Sequence, residues 1–229
     1  MIGNKTLAVP GPTNMPSRIA QSMAIPLEDH RAPDFPDFVT PLLADLKKVF
    51  RTETGRVLVF PGSGTGGWEA ALRNTLSAGD GVLASSFGQF SDLWVQMCRQ
   101  LDLNVTCFDQ TWGRATPLDS YRQALEADSR HSIKAVLVCH NETATGVTSD
   151  VAAVRAMLND LDHPALLFVD GVSSIGSIEF NMDQWGVDVA VSGSEDGFVL
   201  PTGFAIVGVS EKVLYQIKNV SLRPGDTYL

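Results

Sequence analysis

The sequence predicts an α/β fold with a mostly parallel, seven-stranded sheet and helices on both faces. Two observations carry this expectation. From about Pro36 onward, short β-branched runs alternate with longer amphipathic segments, the pattern of strands joined by helical crossovers. Several of the short runs are also apolar throughout, as strands covered on both faces must be. The 229 residues suit one large domain with a proper core and are short for two complete ones.

Residues 1–35 are rich in proline and turn formers and are expected to form an N-terminal arm ahead of a domain spanning 36–229. In that domain a helical pattern over Phe38–Phe50 leads into a strand at Val57–Phe60. A glycine-rich turn follows, then a helix over Gly67–Leu76 and a strand at Val82–Ser85. The alternation continues with a helix at Phe90–Leu101, a strand at Val105–Phe108, a helix at Leu118–Glu126 and a strand at Ala135–Cys139. After a helix at Ala152–Leu161 come the last three strands, Ala165–Asp170, Val187–Ser192 and Phe204–Val209.

Composition narrows the function classes. Apolar residues make up 44% and charged residues 19% of the chain, a globular balance. The net charge of −9 arises from 26 acidic and 17 basic residues without a Lys/Arg cluster, which argues against nucleic acid and anionic membranes as partners. Its longest apolar runs, such as Ala165 to Val169, are far below the roughly 20 residues of a membrane span, so a soluble protein is expected. Met1 to Pro10 lack the features of a secretory signal. Cys98, Cys107 and Cys139 are widely spaced in apolar surroundings and read as buried free thiols, with the cytoplasm as default. The four histidines show no metal-ligand spacing, so no metal site is expected.

In a parallel sheet, ligands bind beyond the carboxyl ends of the strands. After the first strand, Pro61 to Gly67 place small residues and the Ser63 and Thr65 hydroxyls before a helix, a phosphate cradle in which backbone N–H groups reach an anion. Gly62, Gly64 and Gly67 also match the G-x-G-x-x-G dinucleotide pattern, but the next strand ends in Ser85-Ser86, without an acidic residue for a ribose. No Gly-Lys-Ser/Thr follows, so it is not a nucleotide P-loop. A ligand-free turn packing helix on sheet is the competing account.

Phe87 follows the second strand and is either a core ring or a stacking surface for a flat ligand. The polar run His140 to Gly146 follows the fourth strand and is open to reading as a ligand contact or an ordinary capped loop. Asp170 closes the fifth strand, placed either to pair with a protonated ring nitrogen or to cap the Gly171–Ser174 segment.

Taken together, the chain resembles the class V pyridoxal-phosphate-dependent aminotransferases, especially their serine–glyoxylate and alanine–glyoxylate branch. The resemblance rests on Pro10 to Asn14, His30-Arg31, Gly62 to Glu69, Phe87 to Phe90, His140 to Gly146, Val169 to Ser174, Trp185 to Asp188 and Leu200 to Gly203, in order and at matching spacing. It implies the large domain of a fold-type I enzyme, with pyridoxal 5'-phosphate as cofactor, small amino acids and 2-oxo acids as substrates, and a homodimer. Ser63, Gly64 and Thr65 would hold the phosphate, Phe87 would stack on the ring, Thr143 would touch its hydroxyl region and Asp170 would pair with its nitrogen.

Two departures stand out. Where the family reads Ser-Gly-Ser-Gln-Lys, this chain reads Ser192-Gly193-Ser194-Glu195-Asp196. A carboxylate at 196 cannot form the Schiff base that the lysine amine makes, and Glu195 sets a negative charge where a neutral amide would help hold the phosphate. Lys5, Lys47, Lys48, Lys134, Lys212 and Lys218 lie elsewhere in the chain. Family members also continue past the point matching Leu229, through a smaller C-terminal domain that carries the substrate-binding arginine. The expected function is therefore an aminotransferase by lineage, impaired or inactive as written. A non-catalytic phosphate-binding or interaction protein is the alternative, and a further possibility is Asp196 as a base acting on an amine-form cofactor.

Overall fold

A computed structural model describes residues 6–217. The expected sheet is present, with seven strands: β1 (Arg56–Pro61), β2 (Gly81–Ser86), β3 (Asn104–Asp109), β4 (Ile133–Cys139), β7 (Leu166–Asp170), β8 (Val189–Gly193) and β9 (Phe204–Val209). A two-residue-per-strand hairpin, β5 (Asn141–Glu142) and β6 (Val147–Thr148), lies outside it. The sheet order is β1-β9-β8-β7-β4-β2-β3. Pairings of β2 with β3, β2 with β4, β4 with β7 and β7 with β8 are parallel, whereas β9 runs antiparallel to both its neighbours. The reversal has a simple cause. Residues 194–203 between β8 and β9 contain no helix, and a parallel return needs a crossover of a dozen or more residues.

Helices cover both faces. On one side α2 (Phe35–Phe50), α5 (Leu118–Ala127) and α6 (Val151–Asp160) bury Phe50, Tyr121, Leu125, Val154 and Leu158 against Val136, Val138, Leu167 and Val169. On the other, α3 (Gly64–Thr75), α4 (Gln89–Gln100) and α7 (Glu211–Ile217) bury Trp68, Leu72, Trp94 and Val213 against Ala135, Leu137, Leu166 and Phe168. Alternate residues of β4 and β7 thus enter opposite cores, which is why these strands are apolar throughout.

Several elements differ from expectation. Helix α3 begins at Gly64, three residues before its expected start, because Ser63 caps it: the Gly66 N–H donates to Ser63 Oγ at 3.3 Å. The glycines after position 63 are therefore first-turn helix rather than loop. Gly67 has a packing role, since a methyl there would lie 2.6 Å from Val191 Cγ1. The arm contains a short helix, α1 (Ser17–Ser22), with no buried residue. Of the three thiols expected to be buried, Cys98 and Cys139 are, but Cys107, on the edge strand β3, is only half-buried.

One buried ion pair ties the covering helices to the sheet. Arg155 of α6 donates to Asp188 Oδ2 at 2.6 Å, and the same carboxylate accepts from Leu167 N at 2.8 Å and, through Oδ1, from Ser210 Oγ at 3.1 Å. Asp188 thereby joins α6, β7 and the end of β9.

Candidate functional site

The strands β1, β4, β7 and β8 deliver their following loops to one edge of the sheet, and a cavity of about 190 Å³ opens there. Its wall brings together Ser63, Gly64 and Thr65 after β1, Thr143 from the β5–β6 turn, Asp170 at the end of β7, and Glu195 and Asp196 after β8. Seven of the eight expected site residues meet in this one place. Phe87 is the exception. Its ring is fully enclosed, drawn into the turn that starts α4, where the Phe87 N–H donates to Ser91 Oγ at 3.0 Å. A ring with no exposed face offers none to a ligand; Phe90, only partly buried, supplies the aromatic wall, with the buried Trp68 behind it.

Two contributions could not be placed from sequence. Gly11 and Pro12 of the arm fold over the cavity, held by the Thr13 N–H donating to the Glu195 carbonyl at 3.1 Å. Gly11 lies so close that a Cβ there would overlap Asp196 Oδ1. Trp68 lies one turn into α3, at a position that reads as ordinary helix core. The Pro10-Gly11-Pro12 run was the only sequence signal for the first, and the second left none.

The rear of the site is built from buried acids. Asp170 is 4% exposed. Its Oδ1 accepts from Val172 N at 3.1 Å, and Cys139 Sγ lies 3.4 Å from Oδ2. No helix forms over 171–174, so Asp170 caps none; its carboxylate instead pins a turn through Val172 N and lines the cavity. Burial pushes the Asp170 carboxyl up to about 6, against the lowering effect of Val172 N–H, Cys139 and Trp68, with the Glu142 charge adding to the rise. The Trp68 indole N–H is near enough to favour the Asp170 charge but does not reach hydrogen-bonding geometry.

Glu142 is itself fully buried and works as a remote helix cap. Its Oε1 accepts from Phe90 N at 3.2 Å and Ala144 N at 3.1 Å, and its Oε2 from Ser91 N at 2.8 Å. Phe90 and Ser91 begin α4, whose N-cap Gly88 has no side chain to offer. A carboxylate at this position satisfies orphan N–H groups and complements the helix dipole. It also holds the β5–β6 turn, and with it Thr143, beside the cavity. His140 Nδ1 lies 2.9 Å from Ser174 Oγ, locking the loop after β4 to the turn after β7. Burial lowers the His140 pKa to about 4, which keeps the ring neutral.

Asp196, at the expected lysine position, is 8% exposed. Among the described residues its carboxyl makes no side-chain hydrogen bond or ion pair, and no Lys, Arg or His lines the cavity. Burial, reinforced by the Glu195 charge, pushes its pKa up to about 6. Glu195 Oε2 is enclosed and also without a hydrogen-bond partner.

The family model for class V aminotransferases matches residues 30–226. This chain belongs to that family. Among its relatives, the serine–glyoxylate aminotransferase of Hyphomicrobium methylovorum is 57% identical over 91% of this chain and 51% of its own length. The L-aspartate–glyoxylate aminotransferase of Paracoccus denitrificans is 50% identical, over 97% and 56%. Of the solved structures, an alanine–glyoxylate aminotransferase from Nostoc sp. aligns with a TM-score of 0.90 at 27% identity, covering 100% of this chain and 59% of its own. The class V scaffold described above therefore spans about half the length of these curated relatives.

The family implies pyridoxal phosphate, and the residues present fit it only in part. The capped start of α3, with Ser63, Gly64 and Thr65 on the cavity wall, suits a phosphate, and Asp170 suits a protonated ring nitrogen. The unpaired Glu195 and Asp196 carboxyls do not fit: neither supplies an amine, and both oppose an anionic group. The site as a whole is thus not a fit for the cofactor held as the family holds it.

Proposed function

We propose that this chain is the cofactor-binding part of an aminotransferase scaffold, of the branch whose relatives are named for amino transfer to glyoxylate, and that it does not carry out normal transamination. The observation behind this reading is Asp196, enclosed in the cavity at the position that resemblance assigns to the covalently bound lysine. Ser63, Gly64, Thr65, Thr143 and Asp170 line the same cavity, a lining suited to a phosphorylated ring whose binding the Asp196 and Glu195 carboxyls now oppose. The test is an absorbance titration with pyridoxal phosphate. The wild-type chain is expected to leave the free-aldehyde spectrum unchanged, whereas Asp196→Lys gains a band that survives dialysis; a dialysis-resistant band in the wild-type chain overturns the reading.

We further propose that the chain pairs with a second copy. Phe38, Leu42, Leu43 and Val49 of α2 are exposed at 37–62%, and clustered exposed apolar side chains mark interfaces. Light scattering showing a monomer at micromolar concentration would refute this. Location in the cytoplasm is supported by the unpaired buried thiols of Cys98 and Cys139. No helix among the described residues is long and apolar enough to cross a membrane.

A further inference from the structure

We infer that the cavity recognises a small protonated primary amine with an apolar or aromatic body, held non-covalently between the carboxyls of Asp196 and Glu195. The inference goes beyond the loss of covalent chemistry and names what the altered site selects in its place.

Three observations converge. Asp196 is 8% exposed, lines the cavity and has no side-chain partner among the described residues. Glu195, beside it in the chain and on the same wall, has a carboxylate oxygen that is enclosed and unpaired. Folded proteins rarely leave buried acids in this condition, because an unpaired buried charge is costly unless a counter-charge arrives. Burial, with the Glu195 charge beside it, raises the Asp196 pKa to about 6. No basic side chain of the described residues lines the cavity to fill that role.

The remaining wall says what kind of cation fits. Phe90 and Val172 give an apolar surface, and an aromatic face such as that of Phe90 also attracts ammonium groups. Among the described residues no cluster of His, Cys, Asp or Glu is arranged to hold a metal ion, so an organic cation is favoured. An ammonium group has three donors, enough to serve both carboxyls. The cavity, at about 190 Å³, is smaller than the roughly 300–1,000 Å³ of drug-sized sites, which limits the ligand to a small body. The Gly11–Pro12 segment closes over Asp196 and would cover the bound head group.

The inference rests on the reading that Asp196 forms no covalent bond with a cofactor, and the two fail separately, one by absorbance and one by calorimetry without cofactor. Benzylamine is the probe and benzyl alcohol its uncharged counterpart. Benzylamine is expected to bind about tenfold or more tightly than the alcohol, and Asp196→Asn and Glu195→Gln are each expected to weaken it by about tenfold. Thermal scans confirm that both variants are folded; should Asp196→Asn not fold, Glu195→Gln alone decides. Equal binding of amine and alcohol, no binding of benzylamine, or unchanged affinity in the folded variants would overturn the inference.

Discussion

Replacing Glu142 by alanine tests the account of how the site is held. The side chain accepts three backbone N–H groups from two separate segments, Phe90 and Ser91 at the start of α4 and Ala144 in the β5–β6 turn. Hydrogen bonds to a charged group contribute about 1.5–3 kcal/mol each, and the carboxylate at the helix start adds a dipole contribution. Against this, its removal relieves repulsion on the nearby Asp170, and water entering the space left behind can serve some of the freed donors. We therefore expect a net loss of about 4 kcal/mol, a large share of the roughly 5–15 kcal/mol that holds a domain folded. At about 2–4 °C per kcal/mol for a chain of this size, the thermal midpoint should fall by about 8–16 °C.

Circular dichroism melting measures the shift, and amide exchange locates it. Phe90 and Ser91 should lose protection before the core strand β7 does. Glu142→Gln keeps one acceptor oxygen but presents an NH₂ to a donor, so about half the effect is expected. A midpoint within about 2 °C of wild type, or unchanged exchange at Phe90 and Ser91, would refute the capping role.

Three further outcomes follow from the same structure. Asp188→Ala leaves Arg155 buried without its partner and frees Leu167 N and Ser210 Oγ; a loss of about 3–5 kcal/mol is expected by urea denaturation, and a loss under about 1 kcal/mol would contradict it. Gly64→Ala would set a methyl 2.5 Å from Val172 Cγ2, costing about 1–3 kcal/mol, and Val172→Ala in the same chain should recover most of it; a double variant no better than the single one would show that the clash lies elsewhere. Asp196 carries a folded-state pKa of about 6, above the unfolded value of about 3.9. Its protonated form therefore favours the folded state, a contribution complete below the unfolded pKa and lost as pH rises through about 6. The thermal midpoint of Asp196→Asn should gain on wild type between pH 4 and about 7; a difference that stays flat across that window would show that the carboxyl titrates normally.

Much of the scaffold was legible in the chain because its signals are local. Runs such as Leu166–Asp170 are apolar on every residue, and that pattern reports a strand covered on both faces whatever its neighbours are. The placement of Asp170 and Asp196 at strand ends follows from the same logic, since a parallel sheet opens its carboxyl edge to ligands. The true start of α3 is hidden in the sequence because glycines resemble loop residues, while the Ser63 cap shows itself only through the Gly66 N–H that it accepts.

Pairings across distance belong to the tertiary structure alone. Glu142 lies 51 residues beyond Ser91, and no local pattern announces that its carboxylate caps that helix. Phe87 and Phe90 are equally aromatic in sequence; the turn beginning α4 encloses one and leaves the other on the cavity wall. The reversal of β9 depends on what residues 194–203 can span. Asp196 itself divides the same way. Its identity, a carboxylate in place of an amine, is written in the sequence and excludes a covalent bond by chemistry. Its isolation, with Gly11 above it, Glu195 beside it and no described cation lining the cavity, came only when loops distant in the chain were folded onto one edge of the sheet.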